Sequence, residues 1–358
     1  MKVVVACGGT GGHAFPGIAV AEELSGRGHE VVVWDSGRDI ESSAMRRWKG
    51  PVFSTGAKPL KAANALALAR SVLRCRKEMK RTRPDALVAM GSYSSLPPVL
   101  AARSCGARIV LHEANTVPGK AVDFLSRFAE TVAVSFAETA RYLPGAKTVL
   151  TGLPVRSDIA GGERFPFIPP DAFVVFVTGG SQGAHAVNLL MADALAMMKR
   201  ELDSRFAGGA KGRPLYVIHQ TGAADEGMVM GAYAKAALPS RVHAFEREMA
   251  NAFASADVAV ARAGASTCFE LAACGKPAFF VPLPSAIRDH QRHNAEAFVS
   301  AGAAGMGVQE NLSPRQMCRY LVNLYDNPGR LSEMSRKMRS LATMDAAARV
   351  ADIVTGAQ

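Results

Sequence analysis

An apolar strand, a glycine-rich loop and a helical stretch follow one another at two places in this chain of 358 residues. The first place is "KVVVACGGTGGHAFPGIAV" (2–20), and the second is "DAFVVFVTGGSQGAHAVNLL" (171–190). Backbone N–H groups that converge at a strand-to-helix turn favour an anion such as a phosphate. Either loop alone also fits a tight turn that only packs a helix on a strand. Two such loops in one chain favour a pair of phosphate-type sites.

Strand-like runs and helical stretches alternate through both halves of the chain, which predicts parallel sheets covered by helices. The expected strands lie at 2–6, 29–34, 85–90, 108–112, 131–134, 215–219, 257–260 and 277–281. The expected helices lie at 16–25, 61–81, 94–104, 118–128, 183–201, 246–254, 265–274 and 289–301, and 313–356 is expected to be helical throughout. The Gly/Pro-rich segment 157–171 is interpreted as a linker. The predicted fold class is α/β, with two doubly wound units whose strand ends face a central cleft.

The composition is that of a well-buried globular protein, with 49% hydrophobic and 20% charged residues. No apolar run reaches the ~20 residues that a bilayer span needs, and the N-terminus lacks the features of a signal peptide. The six cysteines show no zinc spacing, which favours reduced thiols in the cytosol. No metal is expected, because no Asp-x-Asp pair occurs and the histidines at 290 and 293 lack a third ligand at a suitable spacing.

The positive charge of the chain is concentrated in its first half. The formal net charge is +11, and residues 1–157 carry 22 Lys/Arg against 12 Asp/Glu. A basic helix predicted at 61–83 has an apolar stripe (Leu68, Val72, Cys75, Met79) opposite a basic stripe (Arg70, Arg74, Lys77, Arg81). We expect it to bind an anionic phospholipid surface, with a solvated basic face as the alternative. Nucleic acid is not expected, because no aromatic residues interleave with the charges.

A third set of helix N-terminal donors follows the expected strand at 257–260. Gly264-Ala265-Ser266-Thr267 opens a helix, and Glu270 lies about one turn inside it. A carboxylate there suits a bidentate grip on the two hydroxyls of a nucleotide ribose, although an acid that only stabilises the helix dipole is the alternative. A polar cluster at the start of the next helix suits recognition of sugar hydroxyls: Asp289, His290, Gln291 and Asn294.

Six ordered motifs, spread over essentially the whole chain, closely resemble the MurG family of bacterial N-acetylglucosaminyltransferases. They are Gly8-Gly9-Thr10-Gly11-Gly12-His13, His112-Glu113-Ala114-Asn115, Leu153-Pro154-Val155-Arg156, Gly179 to Ala184, Gly264 to Glu270, and His290-Gln291-x-x-Asn294-Ala295. The resemblance implies a GT-B fold, with an acceptor and membrane-associated domain at 1–157 and a donor domain at 158–340. It also implies that a C-terminal helix at 341–358 packs back on the first domain.

The activity implied by this resemblance is an inverting transfer in peptidoglycan synthesis, linked to cell shape and division. GlcNAc would pass from UDP-GlcNAc to the C4 hydroxyl of MurNAc in undecaprenyl-diphospho-MurNAc-pentapeptide (lipid I), giving lipid II, with no metal or other cofactor. The protein would be peripheral at the cytoplasmic face of the inner membrane. Its implied partners are lipid I, anionic phospholipid and other cell-wall synthesis proteins, and not nucleic acid.

The resemblance also implies which residues meet the two substrates. For the donor, Glu270 would hold the ribose, and Ser181 and Arg156 the diphosphate. The backbone at Phe245–Glu246 would meet the uracil, and Gln291 and Asn294 the sugar hydroxyls. Further donor contacts are Thr10, Gly11, Gly12, Asn115, Ala265, Ser266 and Thr267. The acceptor side comprises Gly9, Thr10, His13, Tyr93 and Asn115. Departures from the family pattern occur at Ser92, Ser94, Ala114, Leu153 and Ser266.

His13 is the candidate general base. An inverting displacement needs the acceptor hydroxyl deprotonated as it attacks, and imidazole commonly accepts such a proton near neutral pH. The nearby helix N-terminus is expected to keep the ring neutral. A hydrogen bond to the acceptor diphosphate and a structural role at the loop are the two alternatives for this residue.

An NAD-dependent oxidoreductase is the alternative function. Gly9, Gly11 and Ala14 fit the G-x-G-x-x-G/A fingerprint, and Asp35 ends the next strand, where a ribose-binding acid is expected. This interpretation leaves the second glycine loop and the Gly264–Glu270 motif unexplained. A non-catalytic basic module that binds membranes or nucleic acid would need neither glycine loop.

Overall fold

The computed structural model describes residues 1–9, 11–37, 45–59, 64–207 and 212–357. These residues form two compact units. The first unit comprises Met1–Arg156 together with Thr343–Gln358, and the second is Ser157–Ala342. The first unit thus ends one residue before the expected boundary, and the chain returns to it two residues after the expected position 341.

The first unit is built on a seven-stranded parallel sheet in the order β3-β2-β1-β4-β5-β6-β7. Its strands are β1 (Lys2–Ala6), β2 (Glu30–Asp35), β3 (Val52–Ser54), β4 (Ala86–Ala89), β5 (Arg108–Glu113), β6 (Thr131–Val134) and β7 (Thr148–Leu150). Helices described in this unit are α1 (Gly11–Gly26), α2 (Ala65–Thr82), α3 (Leu96–Cys105), α4 (Lys120–Leu125) and, at the end of the chain, α12 (Ala346–Thr355).

The second unit is built on a six-stranded parallel sheet in the order β10-β9-β8-β11-β12-β13. Its strands are β8 (Phe173–Thr178), β9 (Leu215–Gln220), β10 (Ser240–His243), β11 (Val258–Ala261), β12 (Ala278–Phe280) and β13 (Ala304–Met306). Helices described in this unit are α5 (His185–Phe206), α6 (Glu226–Lys235), α7 (Met249–Ser255), α8 (Ala265–Ala273), α9 (His290–Ser300), α10 (Pro314–Asp326) and α11 (Pro328–Ser340).

Both sheets reverse their strand order next to their first strand, between β1 and β4 and between β8 and β11. The central strands are rich in valine and buried on both faces, as parallel sheets covered by helices require. In such sheets a ligand binds outside the carboxyl ends of the strands at the reversal. Each unit therefore has one position favoured for a ligand, and each glycine-rich loop follows the strand at that position.

The segment expected to be a linker, 157–171, packs on the second unit instead. Phe165 and Ile168 are buried, and the Phe165 N–H donates to the Ser255 hydroxyl over 2.9 Å. Arg164 donates to the Ser255 carbonyl over 3.0 Å. The Gly/Pro content of the segment reflects its turns and one close approach, since a Cβ at Gly162 would overlap the Ala250 carbonyl.

The C-terminal stretch predicted to be helical throughout is three helices. Ser313 and Gln316 form a capping box that begins α10, and Pro328 begins α11 at a position where its missing N–H costs nothing. Val350, Ala351 and Val354 of α12 join the core around β1 and β4 in the first unit. In the part of the chain that the structure describes, no helix is both long and apolar enough to cross a membrane.

Candidate active site

The loop after β1 lies against the chain at the ends of β2 and β4. Gly9 has φ +118°, and a Cβ there would overlap the Ser92 side chain. A Cβ at Gly8 would lie 2.6 Å from the Ser36 backbone nitrogen. The Ser94 hydroxyl donates to the Gly8 carbonyl. Close packing of three segments therefore requires glycine at both positions, whatever the loop binds. Thr10 lies outside the described residues.

His13 lies in the first turn of α1 rather than in the loop, because α1 begins at Gly11. Its Nδ1–H donates to the Met90 carbonyl over 2.9 Å. With the proton on Nδ1, a neutral imidazole carries its basic lone pair on Nε2. The end of β4 thus sets the tautomer that a general base requires. Gly11 and Gly12 precede His13 in the same turn and are at least partly exposed.

Glu113 organises the predicted acceptor loop instead of facing solvent. Its Oε1 accepts from the backbone N–H and the side-chain amide of Asn115, over 2.9 and 3.1 Å. Its Oε2 accepts from the Gly119 N–H over 2.9 Å. Burial raises the pKa of Glu113, although these bonds oppose the shift. The carboxylate therefore positions Asn115, which is half-buried.

Tyr93 follows a residue with an unusual backbone conformation. Ser92 has φ 68° and ψ 165°, a region that glycine adopts far more readily than serine. The family pattern has glycine at this position. Tyr93 begins a short 3₁₀ turn (Tyr93–Ser95) and is half-exposed. In this chain a serine therefore adopts the backbone conformation that leads into Tyr93, where the family pattern has a glycine.

Arg156 belongs to the first unit, although it is predicted to bind the donor. Its guanidinium carbon lies 5.1 Å from the ring centroid of Phe15 in α1. The two side chains line a surface pocket with Ile18, Ala19, Glu22 and Arg47. Gly11, Gly12 and Asn115 also lie in the first unit, whereas the predicted donor residues from Ser181 onward lie in the second.

The second glycine loop is held by close backbone contacts and ends where α5 begins, at His185 rather than at the expected 183. Gly183 has φ +75°, and a Cβ there would overlap the Thr221 carbonyl. The Gly183 N–H donates to the Gly180 carbonyl over 3.0 Å. Ser181 is exposed at the tip of this turn. Its hydroxyl is therefore accessible to a ligand.

Gln220 links the second glycine loop to the segment predicted to meet the uracil, and the sequence analysis missed it. Its amide donates to the Gly180 carbonyl over 2.8 Å, and its Oε1 accepts from the Glu246 N–H over 3.0 Å. The signal was available, because Gln220 is a polar residue at the carboxyl end of a buried strand. Phe245, which directly precedes Glu246 in the sequence, is 48% exposed.

Both carboxylate oxygens of Glu246 accept hydrogen bonds from groups within the protein. Arg241 donates to its Oε2 over 2.8 Å, and the Glu248 N–H donates to its Oε1 over 2.9 Å. Burial opposes ionisation, but the Arg241 and Glu248 bonds outweigh it and lower the pKa of Glu246. Any ligand contact at this residue must therefore come from its backbone, as the prediction specified.

Helix α8 presents the third set of N-terminal groups. Its N-cap residue Gly264 is extended (φ −65°, ψ 140°) and has no side chain to cap the first turn. Ser266, Thr267 and Glu270 are partly exposed, and Ala265 is buried. Glu270 thus lies within one and a half turns of the helix start, on a helix whose first-turn N–H groups need acceptors.

Arg262, which the sequence analysis did not select, supports the turn into α8 from below. It is 8% exposed and donates to the Val281 and Pro282 carbonyls, each over 3.0 Å, and to Gln309 over 2.6 Å. Burial lowers the pKa of Arg262. The arginine ties the end of β11 to the segments that follow β12 and β13.

Asn294, which is predicted to contact the sugar hydroxyls, lies in the interior of the second unit. Asn294 is fully buried, and its amide donates to the Ala263 carbonyl over 3.1 Å. It therefore positions the turn that precedes α8. Gln291 is half-buried, and its Oε1 accepts from the Leu283 N–H over 3.0 Å, which leaves its amide nitrogen as the donor for a ligand.

Residues before α9 show backbone strain. Arg288 and Asp289 have φ 54° and 52°, in the left-handed region that non-glycine residues seldom adopt. Both residues and His290 belong to the predicted polar cluster or flank it.

Within the described ranges, no group of three or more His, Cys, Asp or Glu residues is placed to hold a metal ion.

The chain matches the glycosyltransferase family 28 N-terminal domain over residues 3–134 and the glycosyltransferase family 28 C-terminal domain over residues 174–351. The crystal structure of Acinetobacter baumannii MurG has a TM-score of 0.78 and 30% sequence identity, covering 99% of both chains.

Two bacterial relatives are similar over their full length, and both are named UDP-N-acetylglucosamine–N-acetylmuramyl-(pentapeptide) pyrophosphoryl-undecaprenol N-acetylglucosamine transferase. The relative from Geotalea uraniireducens is 38% identical over 371 residues, covering 100% of this chain and 99% of the relative. The one from Geobacter sulfurreducens is 37% identical over 366 residues, covering 98% and 97%.

These matches confirm the expected GT-B fold and give the NAD-dependent alternative no support. Asp35 does end β2, as that alternative required, so the position of one acid after a strand does not identify a dinucleotide site. Both domains of a family 28 glycosyltransferase are present in order, and the alignment with the Geotalea uraniireducens relative covers the whole chain at 38% identity. The chain therefore belongs to glycosyltransferase family 28 and, within it, to the MurG N-acetylglucosaminyltransferases of peptidoglycan synthesis.

Proposed function

We propose that this protein transfers GlcNAc from UDP-GlcNAc to the C4 hydroxyl of MurNAc in lipid I, forming lipid II. The observation that carries the proposal is the 38% identity, over the whole chain, to a relative named for this transfer. The strand reversal next to β8, with its glycine loop and the start of α8, supports donor binding in the second unit.

The reaction is a single displacement. The C4 hydroxyl oxygen attacks the anomeric carbon of GlcNAc and forms the new C–O bond. The bond from that carbon to the diphosphate oxygen breaks, and UDP leaves with the bonding electrons. The hydroxyl proton passes to Nε2 of His13, whose Nδ1–H is held by the Met90 carbonyl. Attack opposite the leaving group inverts the anomeric centre.

We expect the donor to be held mainly by the second unit. Glu270 accepts hydrogen bonds from the ribose hydroxyls, and the Phe245–Glu246 backbone pairs with the uracil. Ser181, Arg156 and the N-termini of α5 and α8 stabilise the charge that develops on UDP. The Gln291 amide nitrogen donates to a sugar hydroxyl. This distribution of charge stabilisation supports a transfer that needs no metal ion.

A transfer assay tests this function. Purified protein is incubated with radiolabelled UDP-GlcNAc and vesicles that contain lipid I, and we expect the label in the lipid fraction. Glu270→Gln keeps the size of the side chain but not its charge, and we expect donor affinity to fall roughly 10- to 100-fold. The rate is expected to persist in excess EDTA.

The contrary outcomes are distinct. Failure to label the lipid fraction, with no binding of UDP-GlcNAc, would overturn the proposed function. A rate that EDTA abolishes and magnesium restores would overturn only its metal-free character. Unchanged donor affinity in Glu270→Gln would leave that carboxylate with a helix-dipole role.

We also propose that α2 holds the protein on the cytoplasmic face of the membrane. Cys75 and Met79 of the predicted apolar stripe are buried, and Leu68 and Val72 are half-buried. The outer face, however, is not only basic, since Leu66 and Leu73 are 74% and 64% exposed. Helical spacing places these leucines beside Arg70 and Lys77. Exposed leucines among cations suit an anionic lipid surface better than a purely solvated face. Residues 61–63 of the predicted basic helix lie outside the described residues.

A further inference from the structure

A directed chain of hydrogen bonds runs from the interior of the second unit to the start of α5. Tyr233 and His219 are joined over 2.8 Å, and His219 Nε2 is 3.1 Å from the Asn188 side-chain oxygen. The Asn188 amide donates to Asp225 over 2.7 Å and to the Thr221 carbonyl over 2.8 Å. His185 Nδ1 lies 2.8 Å from the other oxygen of Asp225.

The acceptors in this chain determine the direction of every bond. The Asn188 oxygen can only accept, so His219 Nε2 carries the proton and His219 Nδ1 accepts from the Tyr233 hydroxyl. Burial lowers the pKa of His219 to about 3 and raises that of Tyr233, so both groups are neutral. The bonds from Asn188 and His185 lower the pKa of Asp225. The chain therefore ends on one carboxylate, and His185 Nδ1–H donates to it.

Every residue of this hydrogen-bond chain except His185 is buried. Tyr233, His219, Asn188 and Asp225 are at most 7% exposed, whereas the His185 side chain is 69% exposed. A buried, ionised carboxylate that is fixed by an amide is expensive to build if its purpose is one surface contact, because exposed ion pairs contribute only ~0–1 kcal/mol. The arrangement is that of an aspartate that fixes the ring of a working histidine.

His185 follows directly on the second glycine loop. It is the first residue of α5, two residues after Gly183, and the N-cap residue Ala184 has no side-chain acceptor for the first-turn N–H groups. Asn188 holds the Thr221 carbonyl, the same carbonyl that a Cβ at Gly183 would overlap. The chain thus fastens the loop, the helix start and the imidazole as one rigid group.

We propose that His185, oriented by Asp225, donates a charged hydrogen bond from Nε2 to a phosphate oxygen of the nucleotide diphosphate. This inference rests on the proposed function and deepens it. An imidazolium donates from both ring nitrogens, so Nδ1–H stays on Asp225 while Nε2–H serves the ligand. As UDP departs, this bond stabilises the charge on the leaving group. Asp225 is a positioning residue, since it acts only through His185.

The test compares ligands with and without phosphates. Calorimetry measures the affinity of the full-length protein for UDP and for uridine, in wild type, His185→Ala, His185→Arg and Asp225→Asn. We expect His185→Ala to weaken UDP binding roughly 10- to 100-fold and to leave uridine binding within about twofold. His185→Arg supplies a charged donor without needing Asp225, so we expect it to restore most of the UDP affinity. His29→Ala, in the first unit, is the matched control and should change neither affinity.

A double variant separates positioning from general stability. Asp225→Asn alone is expected to weaken UDP binding several-fold, but to cause no further loss in the His185→Ala background, because it acts through the same ring. Equal losses for UDP and uridine, unchanged UDP affinity in His185→Ala, or no recovery in His185→Arg would each overturn the inference. If wild-type protein binds neither UDP nor uridine, the proposed function itself fails.

Discussion

The His13–Met90 bond makes a specific claim about catalysis at the level of one residue. His13→Ala removes the ring, and we expect kcat to fall about 10²- to 10⁴-fold if Nε2 accepts the proton. His13→Gln keeps a donor for the Met90 carbonyl but cannot accept a proton. A loss in both variants, with the pH dependence of kcat also lost, supports the base. Recovery of kcat in His13→Gln, or a change confined to the acceptor KM, would assign His13 to binding.

Ser92 offers a second test at this scale, because its backbone conformation suits glycine. Strain in that region costs about 1–3 kcal/mol, against about 0.5–1 kcal/mol for the added freedom of glycine in the unfolded chain. We therefore expect Ser92→Gly to raise the free energy of unfolding by about 1 kcal/mol in denaturant titrations. Ser94→Gly is the matched control and should lower it, because the Ser94 hydroxyl bonds the Gly8 carbonyl. Equal destabilisation by both changes would contradict the strain.

Single residues also show where sequence reasoning reached its limit. Glu270 could be selected because its distance from a helix start is a local property. Asn294 was selected by the same kind of pattern, but its side chain faces the Ala263 carbonyl. Helical spacing indicates a face, and only the packing of α9 against the turn before α8 decides which way that face points.

At the scale of elements, α2 exposes leucines among basic residues, and we expect this face to bind an anionic membrane surface. Reversing Arg70, Lys77 and Lys80 to glutamate should lower the partition coefficient onto anionic vesicles by at least about 100-fold, given roughly 1 kcal/mol per cation. Arg81 is a poorer choice than the sequence suggested, because it pairs with Glu78.

The control for α2 carries the same change of charge elsewhere. Glutamate at Arg315, Arg319 and Arg336 in the second unit should leave vesicle binding nearly unchanged, as measured by sedimentation. Turnover of a water-soluble acceptor analogue should stay the same in both triple variants. Equal loss of vesicle binding in the two triple variants would mean that net charge, and not α2, governs adsorption.

Elements with a strong local pattern were predictable, whereas three short strands at the sheet edges were not. The strand–loop–helix units around β1 and β8 combine a valine-rich run, glycines and a helix, so the sequence indicates all three parts. The strands β3, β7 and β13 have three residues each, too few to show an alternation. All three lie at the edge of a sheet, where each forms by pairing with the one strand beside it.

For the whole molecule, each unit carries one buried neutral histidine that makes folding sensitive to acid. Burial lowers the pKa of His112 to about 4 in the first unit and that of His219 to about 3 in the second, from 6.5. Between pH ~6.5 and ~4, His112 and His219 are protonated in the unfolded chain but remain largely neutral in the folded protein. The free energy of unfolding should therefore fall as the pH falls, by up to about 1.4 kcal/mol per pH unit for each histidine.

Denaturant titrations between pH 7.5 and 4.5 measure this dependence. Replacing both His112 and His219 with glutamine should flatten the profile, even if it lowers stability at pH 7.5. Glu113 has a raised pKa and works in the opposite direction, because it takes up its proton at a higher pH when folded. An unchanged slope in the double variant would contradict the assignment to these histidines.

The last helix of the chain completes the core of the first unit, and this has a consequence for synthesis on the ribosome. Val350, Ala351 and Val354 pack with β1 and β4, more than two hundred residues upstream. The first unit emerges early but lacks part of its interior until α12 is translated. The second unit, whose residues are contiguous, has all its parts before then. The nascent first unit must therefore remain without α12 until then, and a premature stop at residue 343 would release a complete second unit joined to an incomplete first unit.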